Sequence, residues 1–123
     1  MKDSPLHIKS KKFADRIFKL HKYLCEEKKE FTTSKQILRS GTSIGANISE
    51  SRFASSKKDF LLKITIAAKE YSETIYWLER LRNSGHITEK QFESIHKDCS
   101  ELGAMLTSTI KTTKHNLKNN TES

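Results

Sequence analysis

The stretch FLLKITIAAKEYSETIYWLERL, residues 60–81, decides the fold. Phe60, Ile64, Ala67, Ala68, Tyr71, Ile75, Leu78 and Leu81 recur at steps of one, three and four, which places them on one stripe of a helix. Upstream, Ser56-Lys57-Lys58-Asp59 has the form of a capping box with Asp in the place of Glu. Downstream, Asn83-Ser84-Gly85 is a stop signal, with Gly85 suited to the left-handed position after a helix. The helix so bounded runs about 27 residues, or roughly 40 Å at 1.5 Å per residue.

Three further segments have the same character. After the stop, Thr88 to Gln91 forms a capping box, and Phe92, Ile95, Cys99, Leu102, Leu106 and Ile110 follow at steps of three and four. That heptad-like repeat suits a bundle seam. Near the start, Phe13, Ile17, Leu20 and Leu24 share one helical face, with charged residues on the others. Ile37, Ile44 and Ile48 form a fourth stripe, which Thr33 or Ser34 can cap. Between these isoleucines the residues are small: Ser40, Gly41, Thr42, Ser43, Gly45 and Ala46. Each glycine costs a helix roughly 0.5–1 kcal/mol relative to alanine. Close approach of a neighbouring helix is the simplest offset, and a loop through residues 40–45 is the alternative. Four amphipathic segments with short connections predict an all-α, antiparallel up-and-down four-helix bundle over residues 10–113. Residues 1–9 and 114–123 read as flexible tails.

Composition agrees. The 123 residues include four glycines and one proline, Pro5, too few for a chain of strands and tight turns. Hydrophobic residues make up 34% and the mean hydropathy is −0.70, so the core is thin and self-association is expected. No apolar run reaches about 18 residues, which argues against a membrane span. Residues 1–12 are charged and lack an apolar stretch, so no secretory signal is read and a cytoplasmic location is expected. Cys25 and Cys99 then read as reduced thiols.

At residues 39–50, Arg-Ser-Gly-Thr-Ser-Ile-Gly-Ala-Asn-Ile-Ser-Glu resembles the signature of the four helix bundle proteins, also called 23S ribosomal RNA intervening sequence proteins. The resemblance continues through Ser56 to Leu61, Ala67 to Glu70 and Glu73-Thr74 into Tyr76-Trp77-Leu78, and covers about residues 13–111. It implies a bundle that commonly assembles as a ring-like homopentamer. Some relatives are encoded within inserts in ribosomal RNA genes. Another, the accessory protein of diversity-generating retroelements, partners a reverse transcriptase and its RNA. The chain departs from the pattern after Glu50, where Ser51-Arg52-Phe53 stands in place of a usual glycine.

Catalytic signatures are missing: there is no Gly-x-Ser-x-Gly, no phosphate-cradling glycine loop and no His-Glu-x-x-His. The protein is therefore expected to be non-enzymatic and without a cofactor. A di-iron bundle needs two Glu-x-x-His pairs, and Glu93 with His96 supplies one. His21 with Cys25 and His96 with Cys99 have zinc-ligand spacing, but Cys99 falls on the apolar seam, so no metal is expected.

The formal charge is +8, which draws a small protein to polyanions. Lys9, Lys11, Lys12, Lys111, Lys114 and Lys118 are the candidate nucleic-acid contacts. In an up-and-down bundle both chain ends lie at one pole, so these lysines are expected to merge into a patch. Their contacts would be to phosphate, non-specific and salt-dependent. A purely solvated surface, with the bundle acting as a protein scaffold, is the alternative. Arg39, Ser43, Asn47, Glu50, Tyr76 and Trp77 are the candidate packing or subunit-interface residues.

Overall fold

The structure is a computed structural model and describes residues 3–120. It consists of four helices: α1 (Pro5–Glu26), α2 (Thr32–Ser51), α3 (Lys57–Asn83) and α4 (Glu89–Asn120). Each helix packs on its neighbours in the chain, and α1 closes the bundle against α4. Side-chain contacts give an antiparallel register on each seam. Ser10 lies beside Gly45, while His21 lies beside Ser34. Ser40 faces Thr74 and Glu50 faces Lys63. Tyr71 faces Gly103 and Arg82 covers Phe92. Lys9 meets Glu101, and Arg16 meets Ser94 and Asp98.

The stripes read from the sequence form the core. Phe13, Ile17 and Leu24 of α1 are buried, as are Ile37, Ile44 and Ile48 of α2. Ile64, Ala67, Leu78 and Leu81 of α3 meet Phe92, Ile95, Cys99, Leu102 and Leu106 of α4. Burial pushes the Cys99 thiol up to about 12, so it is a neutral core residue at ordinary pH. The expected caps at two helix starts are present. Ser56 Oγ accepts from Asp59 N at 3.0 Å. Thr88 Oγ1 accepts from Gln91 N, and the Gln91 side chain accepts from Thr88 N. Gly85 has φ 79°, the left-handed conformation expected at its position.

The structure corrects the expected boundaries. Residues 5–9 are the first turns of α1, not a tail. Ser4 caps it, accepting from His7 N at 3.1 Å, and Pro5 is at the helix start, where its missing N–H costs nothing. Leu6, His7 and Ser10 are buried there. At the other end α4 continues through Asn120. Its seam pattern stops near Ile110, yet adding residues to an existing helix costs little, and Thr113 is still buried. Residues 1–2 and 121–123 of the expected tails lie outside the described residues. The cap of α2 is also different. Neither Thr33 nor Ser34 caps it by its side chain; the Glu30 carboxylate accepts from both of their backbone N–H groups, at 3.1 and 2.8 Å. The turn after Glu50 needs no glycine, because Arg52, which caps the end of α2, is in a right-handed conformation.

Residues 40–45 are helical, and the small side chains admit both neighbouring helices. The two glycines do different work. A Cβ at Gly41 would fall 2.7 Å from Ile17 Cγ1, so α1 and α2 touch there. A Cβ at Gly45 would make ordinary contact, 3.5 Å from the Ser10 carbonyl oxygen. On the adjoining face the Ser40 and Thr74 hydroxyls are hydrogen-bonded at 3.0 Å within the core. Gly41→Ala is therefore expected to destabilise by about 1–3 kcal/mol through overpacking. Gly45→Ala is expected to stabilise by up to about 1 kcal/mol through helix propensity. Urea unfolding of both variants checks this, and shifts of one sign would contradict it.

Candidate nucleic-acid interface

Two of the three N-terminal lysines are already engaged. Lys9 forms an ion pair with Glu101 of α4, and that hydrogen bond holds its ammonium pKa above the ordinary value. Lys11 lies 3.2 Å from Asp3. Asp3 also accepts from Arg52 at 2.9 Å, tying the start of α1 to the end of α2. The Lys11 hydrogen bond holds the Asp3 carboxyl below its usual range. Under this network His7 is buried, with Nε2 3.0 Å from the Arg52 guanidinium.

The C-terminal group is different. Lys111 and Lys114 are exposed and make no ion pair among the described residues; Lys12 shares both properties. Lys118 is exposed near the end of α4. The single merged patch is not formed. Lys9 is level with Glu101, and Lys111 stands about ten residues further along α4, roughly 15 Å away. The two groups share a pole but form two tiers.

The α1–α4 seam holds cations that sequence reasoning missed. Helices α1 and α4 pack most sparsely, and a cleft of about 490 Å³ opens between them. Its lining includes Arg16, Lys19, Leu20 and Tyr23 from one wall and Lys90, Ser94 and Ile95 from the other, and no carboxylate. Arg16 bridges the walls, donating to the Ser94 carbonyl and hydroxyl at 3.1 and 2.9 Å and to Asp98 at 2.7 Å. The spacing of Arg16, Lys19 and Tyr23 marks one face of α1. Nothing in the sequence says that Lys90 stands opposite, since that follows from the register of helices at the two ends of the chain.

The candidate interface residues divide. Arg39 spans α2 and α3, donating to Glu70 at 3.0 Å and pairing closely with Glu73. Glu73 also accepts from the Trp77 indole N–H at 3.0 Å. That bond, with Arg39 beside it, holds the Glu73 carboxyl below its ordinary 4.5. Tyr76 is half exposed and meets Trp77 edge to face, with centroids 4.9 Å apart. Asn47 donates to its own helix, to the Ser43 carbonyl at 2.9 Å. Glu50 lies 3.8 Å from Lys63 on α3. Arg39, Glu73, Trp77 and Tyr76 thus form one surface network, and Ser43, Asn47 and Glu50 are not part of it.

The two His–Cys pairs stay apart. Cys25 Sγ lies 3.7 Å from His21 Nε2, and the other nitrogen of that ring bonds the Ser34 carbonyl at 3.1 Å. His96 stacks on Phe92, its Nδ1 3.3 Å from the Ser100 hydroxyl. No group of three or more His, Cys, Asp or Glu among the described residues is arranged to hold a metal ion. No described helix is long and apolar enough to cross a membrane.

An antiparallel all-α bundle of four helices, with a second helix of small residues packed between the first and the third, is the class this architecture defines. The chain belongs to the 23S rRNA-intervening sequence protein family, which matches residues 2–108. It is 54% identical to a protein of unknown function from the S23 ribosomal protein family of Bacteroides thetaiotaomicron VPI-5482, whose crystal structure superposes with a TM-score of 0.85. That match covers 86% of this chain and 98% of the other. No curated protein matches the chain. The resemblance read from residues 39–78 is thereby borne out as membership of the family.

The Glu73 network makes stability depend on acid pH in a stated direction. A carboxyl held below its ordinary value stabilises the fold above about pH 4.5, and that contribution is lost as pH falls through the lowered folded value. In Trp77→Phe the principal cause is removed, so the acid-side loss attributable to Glu73 shrinks. Urea unfolding of both proteins from pH 3 to 6 tests this. Parallel pH dependences would show that the indole bond does not hold Glu73.

Proposed function

We propose that this protein is a non-enzymatic, self-associating helical bundle that binds RNA as an accessory factor. The observation that carries the reading is the distribution of a +8 charge. Glu70, Glu73, Asp98 and Glu101 are drawn into ion pairs between helices, while Lys12, Lys111 and Lys114 are exposed and make no ion pair among the described residues. Such cations meet phosphate by counterion release without reading bases. The family's name, which refers to an intervening sequence of ribosomal RNA, adds support. The resemblance to retroelement accessory proteins makes a reverse transcriptase one class of protein partner. Self-association is supported by large side chains left in water, with Phe18, Phe31, Phe53, Leu62 and Tyr76 all more than half exposed. A ring of five is the assembly the family resemblance favours.

Those aromatic side chains equally favour a second reading, a scaffold that binds only protein. The two readings separate on salt-dependent RNA binding. Binding of a structured RNA and of duplex DNA is expected to weaken steeply as salt rises. Lys12→Glu, Lys111→Glu and Lys114→Glu combined are expected to lower the duplex slope by up to about 0.9 for each phosphate that is no longer neutralised. No binding at low salt would leave the scaffold. Light scattering tests the assembly, and a mass of 14.2 kDa would overturn it.

A further inference from the structure

The cleft between α1 and α4 is lined by three cations, by hydrocarbon and by one tyrosine ring. Lys19 comes from one wall and Lys90 from the other, and neither is in an ion pair among the described residues. Arg16, one turn before Lys19 on α1, reaches across the seam to Ser94 and Asp98. Below the cations are Leu20 and Ile95, and the Tyr23 ring, whose hydroxyl has no hydrogen bond among the described residues. Lys28 brings its ammonium over the Tyr23 ring, 6.0 Å from the centroid.

We infer that this cleft seats an unpaired nucleotide of a single-stranded RNA, its base against Tyr23 and Leu20 and its flanking phosphates on Lys19 and Lys90. The inference rests on the RNA-binding reading and deepens it. Charge complementarity selects the occupant. Asp98 offsets the charge of Arg16, but Lys19 and Lys90 have no ion-pair partner among the described residues, so the cleft favours an anion, and its apolar lining favours one with a flat, weakly polar body. A nucleotide has both parts. Its base must be unpaired, because in a duplex the face that would meet a tyrosine ring is already stacked. Recognition of this kind joins a cationic groove to an aromatic platform and tolerates any base.

The test uses the whole protein and two fluorescein-labelled 12-mers, oligouridylate and an abasic strand of equal length and charge. Wild type is expected to bind oligouridylate more tightly than the abasic strand. Tyr23→Ala is expected to weaken binding of oligouridylate on the order of 5- to 150-fold, and to leave the abasic strand unaffected. Lys19→Gln with Lys90→Gln is expected to weaken both strands and to reduce the salt slope by about 0.7 for each phosphate that is no longer neutralised. Tyr23→Phe, which keeps the ring and the packing, is expected to bind as wild type does. With 4-thiouridine in the strand, photo-crosslinks are expected on the peptide that contains Tyr23. Binding that survives both Tyr23→Ala and the double lysine change would overturn the cleft and leave RNA binding in place. If wild type binds neither strand nor a structured RNA, the RNA reading itself fails. Equal wild-type affinity for the two strands, with weakening only in the lysine variant, would overturn the base contact.

Discussion

At Gly41 the backbone of α2 lies against Ile17 with no room for a methyl group. One turn of α2 therefore holds α1 at contact distance, while Ser40 on the adjoining face hydrogen-bonds Thr74 of α3. The close approach explains why the second helix is built from small residues at the cost of helix propensity. It also sets where everything else falls. With α2 fixed against α3, Arg39 reaches both Glu70 and Glu73, the latter already bonded to Trp77 within α3. A comparable approach recurs between α3 and α4. A Cβ at Gly103 would lie 2.6 Å from Tyr71 Cε1, so the large ring of one helix fills the gap left by the other. A chain with a thin core packs at such places by backbone proximity more than by side-chain volume.

Much of this is legible in the sequence. The apolar stripes of all four helices, the caps at Ser56 and Thr88 and the turn at Gly85 are local patterns, and a local pattern survives into the fold. The start of α1 is harder to read, although Ser4-Pro5 is itself a start signal, because the apolar periodicity begins only at Phe13. Leu6 and His7 are buried by helices distant in sequence, and no local rule reveals that. Glu30 does not stand out as a cap, because Thr33 and Ser34 are the usual capping types and the carboxylate lies before the helix. The candidate site is legible in kind but not in place. Net charge points to a polyanion, yet pairing decides which lysines remain open to one. Lys9 and Lys11 are consumed by Glu101 and Asp3, partners fixed by helix register and chain direction.

Electrostatics and packing are linked through the seam of lowest density. Three of the four helix pairs are joined by a short connection, which brings their faces together in register. The pair α1 and α4 has no such tether and relies on side chains. Lys9 with Glu101 and Arg16 with Asp98 supply cross-links there, both at the surface, where ion pairs are individually weak. The opening beside Arg16 is a consequence of this connectivity. A bundle joined in series has one unsewn edge, and here Arg16, Lys19 and Lys90 line its opening.

The same series connectivity governs how the chain reaches its fold. Each of the first three seams forms by closing a loop of a few residues, so its entropic cost is small. Helical proteins dominated by such local contacts fold quickly. The final seam joins Lys9 to Glu101 across nearly the full chain, and it is the step whose loop closure costs most. In kinetic terms the α1–α4 edge is expected to zip last and unzip first. Amide hydrogens along it are then expected to exchange ahead of those on the α2–α3 seam.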